Sequence, residues 1–160
     1  MKKIDITTTA TLYNNVSQLS TEDALLMEKA VEARQKAYAP YSKFNVGAAV
    51  LLDNGKIILG NNQESAAYPS GMCAERVAIW KAASEFPNMR VQKIAITAAS
   101  ENATVNKPVG PCGACRQTLS EYEINQQHSI EIIFMGEVGQ IIKTESLLSL
   151  LPFSFDSSYL

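Results

Sequence analysis

The stretch Pro111-Cys112-Gly113-Ala114-Cys115-Arg116-Gln117, with its companion Cys73-Ala74-Glu75-Arg76, contains every cysteine of the 160-residue chain. Each segment falls where a helix is expected to begin. Cys112 and Cys115 stand three residues apart and so share one helix face, while Cys73 occupies the mouth of a second helix. Free backbone N–H groups at helix N-termini stabilise thiolates, the form of cysteine that binds metal. An odd number of cysteines cannot pair off completely into disulfides. The three thiols therefore read as one metal site. Three protein ligands is the count of a catalytic zinc, whose open position takes water, whereas structural zinc is usually closed by four.

Outward from these segments, the rest of the chain fills in around them. Ser20 is a good N-cap, with Glu22 and Asp23 favouring the positive end of a first helix that closes at Tyr38-Ala39-Pro40, because the residue before proline avoids helical geometry. Residues 46–52 read as a buried strand, Asp53-Asn54-Gly55 as a hairpin turn and residues 56–60 as the returning strand. A loop over 61–72 leads into an alanine-rich helix from Cys73 to Ser84. Residues 91–99 form another buried strand, and a polar loop over 101–110 leads to a helix over 111–122 with proline at its mouth. Strands over 130–135 and 141–143, around a Gly136/Gly139 turn, and a short helix near 145–150 complete the chain. The order α-β-β-α-β-α-β-β-α predicts a three-layer α/β/α sandwich with a mixed five-stranded sheet. All of residues 1–160 read as one domain, with residues 1–19 as a flexible or peripheral N-terminal extension.

Hydrophobic residues make up 46% and charged residues 19%, a composition that folds. Net charge is −2 and no basic patch stands out, which argues against a nucleic-acid polymer as partner. Met1 to Ala10 is polar and Thr-rich, without the apolar core of a signal peptide. No apolar run is long enough to span a bilayer. The expected location is cytoplasmic, with no membrane partner.

Glu75 lies two residues from a candidate ligand and is well placed to reach a metal-bound water, to take a proton from it and to pass that proton to a substrate. Three thiolates around Zn²⁺ leave a net negative centre, a poor activator of water unless something offsets it. Arg76, three residues after Cys73 on the same helix face, can donate N–H groups to sulfur and withdraw charge. A zinc-bound water beside a carboxylate, with a Cys-x-x-Cys pair behind it, is the signature of the zinc base deaminases.

The sequence resembles the small, homotetrameric, zinc-dependent cytidine deaminases. The match runs from Tyr38-Ala39-Pro40-Tyr41-Ser42-Lys43-Phe44-Asn45-Val46-Gly47-Ala48-Ala49 through both cysteine motifs to Leu150-Leu151-Pro152 and Phe155. The resemblance implies hydrolysis of cytidine and 2′-deoxycytidine to the uridines and ammonia, in pyrimidine salvage, with one zinc per chain. It implies that Asn62 and Glu64, in Gly60-Asn61-Asn62-Gln63-Glu64, hydrogen-bond the ribose 3′-hydroxyl. Phe44 would pack on the pyrimidine and Ala74 would offer backbone contacts to the base. Tyr68 and Phe155 would reach a neighbouring subunit's pocket. Ser65 departs from the asparagine of many relatives.

Several plainer readings compete. The cysteines could be buried and unligated, or His128 could close a structural zinc site as fourth ligand. Phe44 and Phe155 could be core residues by spacing alone. Among enzymes, a blasticidin S deaminase shares the zinc motif, and a polynucleotide deaminase would need a basic channel and stacking aromatics.

Overall fold

The computed structural model describes residues 1–160. Helix α1 spans Thr21–Arg34, α2 Ala74–Glu85 and α3 Gly113–Asn125. The strands are β1 Thr11–Tyr13, β2 Phe44–Leu52, β3 Ile57–Asn61, β4 Val91–Ser100, β5 Glu131–Met135 and β6 Ile141–Thr144. They form one sheet in the order β1-β6-β5-β4-β2-β3. Only β4 and β5 pair in parallel, with α3 between them in sequence; every other pair is antiparallel, so the sheet is mixed.

Alternation along the strands splits the core into two layers. Ala48, Val50, Ile94, Ile96, Ile132 and Phe134 face α2 and α3, contributing to a cluster with Ala74, Ala78, Ile79 and Leu119. Their neighbours Ala49, Leu51, Ala95, Ile133 and Met135 face the other way, onto Leu26, Met27 and Ala30 of α1. A strand covered on both faces reads as a continuous apolar run, which is why residues 46–52 announce themselves. The architecture is the expected three-layer sandwich.

The sheet has six strands, not five. The added strand, β1, pairs Thr11, Leu12 and Tyr13 with Lys143, Ile142 and Ile141 at the sheet edge. Its three residues are mostly exposed and have no apolar pattern of their own, so only the ladder offered by β6 makes them a strand.

Two helix boundaries also differ from expectation. Ser20 does cap α1, accepting from Asp23 N–H at 3.1 Å. The helix ends at Arg34, short of Tyr38, because Tyr38 is drawn into extended pairing: its N–H donates to Asn62 O at 3.0 Å and its carbonyl accepts from Glu64 N–H at 2.9 Å. The expected helix near 145–150 is only a 3-10 turn at Leu148–Leu150. The buried Glu123 carboxylate of α3 ties this segment down, accepting from Ile130 N–H and Leu147 N–H, each at 2.8 Å. The Asp53-Asn54-Gly55 turn forms as read, with Gly55 at φ +79°.

Candidate active site

Two helices deliver their N-termini to one place. Cys73 is the N-cap of α2 and Cys112 the N-cap of α3, and neither side chain caps its own helix. Their extended backbone turns the first helical N–H groups outward and leaves the sulfurs free for another partner. Cys115 follows in the first turn of α3 and is fully buried. The sulfurs of Cys73, Cys112 and Cys115 all lie within 4.8 Å of one another.

The donor set fits a zinc ion. Sulfurs on a tetrahedral zinc, at the usual ~2.3 Å, stand about 3.8 Å apart; the Cys73 and Cys112 sulfurs are 3.9 Å apart. His128 is exposed and is not among the residues gathered there, so it does not supply a fourth ligand. Nor are the cysteines scattered core thiols: Cys112 is exposed and Cys73 half-buried.

Charge is distributed unevenly over the cluster. A hydrogen bond from Cys115 and the neighbouring Arg76 pull the Cys73 thiol down to about 5, in spite of its partial burial. Cys115 is pushed up, because it holds its proton toward the Cys73 sulfur and because it is buried. Arg76 Nη2 donates to Cys73 Sγ at 3.3 Å.

A cleft of about 540 Å³ opens beside the sulfurs, walled by Phe44, Asn62, Glu64, Tyr68, Ala74 and Glu75 among others. Glu75, in the first turn of α2, is 5% exposed. Burial, with the negative Cys73 nearby, raises its carboxyl above the ordinary value. Ala74 is fully buried at the helix start.

On the opposite wall, Asn62 is bound by backbone at both ends of its amide: Val46 N–H donates to Oδ1 at 2.8 Å, and Nδ2 donates to Phe44 O at 2.9 Å. This fastens the start of β2, and with it Phe44. Glu64 Oε2 accepts from Tyr41 N–H at 2.9 Å and Ser42 N–H at 3.2 Å. Hydrogen bonding with the Ser42 side chain is the largest influence holding its carboxyl below the usual value, with these backbone N–H groups adding to it. Its second oxygen is available to a ligand. Tyr68 stands at the mouth, 74% exposed, edge-on to Tyr41 at 6.1 Å.

Phe155 does not line this cleft. It is 59% exposed and stacks on Tyr159 at 5.6 Å, so it is not a core residue of its own chain. Arg116, quoted in the motif without a role, has one here. Its Nε donates to Pro111 O at 2.8 Å and its Nη1 to Leu150 O at 2.9 Å, bracing the backbone that precedes Cys112. Its place directly after Cys115 was the available signal.

Residues 20–129 match the family described as the cytidine and deoxycytidylate deaminase zinc-binding region. The chain is 42% identical over 122 residues to the cytidine deaminase of Halalkalibacterium halodurans, covering 71% of this chain and 88% of that one. It is 41% identical over 138 residues to that of Sporosarcina psychrophila, covering 84% and 93%. The crystal structure of cytidine deaminase from Burkholderia pseudomallei superposes with a TM-score of 0.71 at 36% identity, covering 86% of this chain and all of that one. The fold and site are those of a hydrolase that removes an amino group from a cyclic amidine. The chain belongs to the cytidine and deoxycytidylate deaminase family and carries its zinc-binding region.

Proposed function

We propose that this chain hydrolyses the C4 amino group of cytidine and 2′-deoxycytidine, giving the corresponding uridines and ammonia. The observation that carries the reading is a buried Glu75, two residues after Cys73 in the first turn of α2, with three clustered thiols beside one nucleoside-sized cleft. Cys73, Cys112 and Cys115 would hold one zinc. When bound, zinc supplies Lewis-acid activation of water, lowering its pKa toward neutrality.

The chain's own groups do the rest. Glu75 accepts a proton from the attacking water and delivers it to the pyrimidine ring nitrogen, then moves the second proton to the departing amine. One carboxyl serves both transfers because burial keeps its affinity for a proton high. Arg76 offsets the negative charge gathered on the sulfurs. Phe44 offers its ring to the pyrimidine and Ala74 its backbone at the helix mouth. Glu64, through its unoccupied oxygen, and Asn62 receive the ribose 3′-hydroxyl, and Ser65 borders them.

We further infer a homotetramer in which Tyr68 and Phe155 complete a neighbour's pocket. Exposed Tyr68, Phe153 and Phe155 support it, since apolar surface of this kind is usually hidden at interfaces. A free nucleoside as substrate fits a cytoplasmic role in pyrimidine salvage, and no helix is long and apolar enough to cross a membrane. Ultraviolet absorbance of cytidine and 2′-deoxycytidine, followed with and without a zinc chelator, tests the proposal. Loss of the cytosine band that stops on chelation is expected; no change in either nucleoside, with zinc present, would refute it.

A further inference from the structure

Helix α2 carries the only tryptophan of the chain, Trp80. It lies one turn beyond Arg76, and side chains four residues apart share a helix face. The Arg76 guanidinium sits over the indole, its Cζ 5.9 Å from the ring centroid. Nη2 of the same guanidinium reaches the Cys73 sulfur at 3.3 Å, while its Nε is buried and has no acceptor. A group with five N–H donors is thus held chiefly by one sulfur and one aromatic face.

Trp80 itself is 43% exposed and does not line the cleft. The core contacts of α2 are made by Ala74, Ala78, Ile79 and Ala82 instead. Packing therefore does not account for a large aromatic at this position. An arginine side chain loses much rotamer freedom when fixed in one pose. An aromatic ring beneath it lowers that cost, because the ring quadrupole attracts the cation without competing for its N–H donors.

We propose that Trp80 is a positioning residue, whose ring face holds the Arg76 guanidinium against the Cys73 sulfur and so slows the loss of zinc from the cysteine cluster. The inference rests on the reading that Cys73, Cys112 and Cys115 hold zinc. Trp80 acts only through Arg76, which makes its effect conditional on that residue.

A double-mutant cycle tests this conditionality. Zinc release to a chromophoric chelator is timed for the full chain and for Trp80→Leu, Trp80→Phe, Arg76→Ala and the double variant Arg76→Ala/Trp80→Leu. Leucine keeps an apolar side chain without a ring face; phenylalanine keeps the ring. Trp80→Leu should release zinc about 2- to 5-fold faster, the ordinary worth of a part-exposed cation–π contact. Trp80→Phe should stay nearer the parent, and Arg76→Ala should show the larger loss of about 10- to 100-fold. In the Arg76→Ala background, Trp80→Leu should add nothing. Release at the parent rate from Trp80→Leu, or an undiminished effect of Trp80→Leu without Arg76, would overturn the proposal.

A second readout needs no metal. With a single tryptophan, emission excited beyond the tyrosine absorption comes from Trp80 alone, and Arg76→Ala should shift or brighten it whether or not zinc is bound. Unchanged emission would overturn the stacking. A parent chain that holds no zinc would defeat the metal reading instead, and the fluorescence comparison would then decide the Arg76–Trp80 contact by itself.

Discussion

At the scale of single residues, Glu75 and Glu64 show how one side-chain type takes two roles from two surroundings. Glu75 is buried beside a thiolate-prone sulfur and its carboxyl is raised. Glu64 accepts backbone N–H groups from Tyr41 and Ser42 and its carboxyl is lowered. Burial strengthens the first carboxyl's hold on a proton, and hydrogen bonding weakens the second's. Glu75→Gln keeps the shape of the side chain and cannot move a proton. We expect kcat to fall by at least ~100-fold, with zinc content and the thermal transition unchanged. Steady-state kinetics beside elemental analysis checks this, and near-normal turnover would remove Glu75 from the mechanism.

At the scale of elements, α2 has to lie flat against β3 for its N-terminus to meet that of α3. Gly60 permits the approach: a Cβ there would stand 2.4 Å from Ala78 N and 2.5 Å from Ala74 O. Both contacts are backbone, so nothing flexible can give way. Gly60→Ala should lift α2, cost about 1–3 kcal/mol as an overpacked core does, and lower activity by displacing Glu75. Denaturant midpoints and kcat measured together test it; an unperturbed pair of values would show that the helix has slack.

On the other face of the sheet, α1 is pinned by charge. Asp23, 3% exposed, accepts from Lys93 and Lys143, each at 2.8 Å. Burial alone would raise its carboxyl, but the hydrogen bonds from Lys143 and Lys93 outweigh this and hold it below its usual value. A carboxylate depressed by folding contributes stability that is fully present above its unfolded value of about 3.9 and lost as pH falls through the lower, folded one. Asp23→Asn should therefore destabilise the chain at neutral pH, by about 1.5–3 kcal/mol for hydrogen bonds to a charged group. The difference from the parent should shrink as pH falls below about 4. Urea midpoints from pH 7 to pH 2 measure it, and a pH-independent difference would argue for lost packing instead.

For the whole molecule, the question is what covers the tail. Phe153 is 85% exposed with φ +59°, and Tyr159 is 71% exposed. Gln117 Nε2 donates to Phe155 O at 2.8 Å, so the tail is fastened to α3 with its rings exposed. If those rings complete a neighbour's pocket, ending the chain after Leu151 should raise KM or abolish activity while Cys73, Cys112 and Cys115 still bind zinc. Light scattering across a dilution series, with activity in parallel, should show a tetramer whose dissociation costs activity. A fully active monomer would refute the shared pocket.

The sequence alone determined the two-sided sheet and the three cysteines that meet at one site. Doubly covered strands read as near-continuous apolar runs, and that pattern is visible without any coordinates at residues 46–52 and, but for Gln92, Lys93 and Thr97, at 91–99. Three cysteines at two helix mouths, with Glu75 and Arg76 in the next two places after Ala74, state their chemistry through spacing, because a helix turn fixes what shares a face. Tertiary structure decided whatever depends on a distant partner. β1 is a strand only because β6 presents an open ladder to Thr11–Tyr13. Residues 145–150 are fastened by Glu123, more than twenty positions earlier. Arg116 became a brace only when Leu150 came within 2.9 Å, and Trp80 met the site only through the pose of Arg76. Local periodicity carries no information about such contacts, since each is made between segments whose meeting is settled by the packing of the sheet and not by either segment's own pattern.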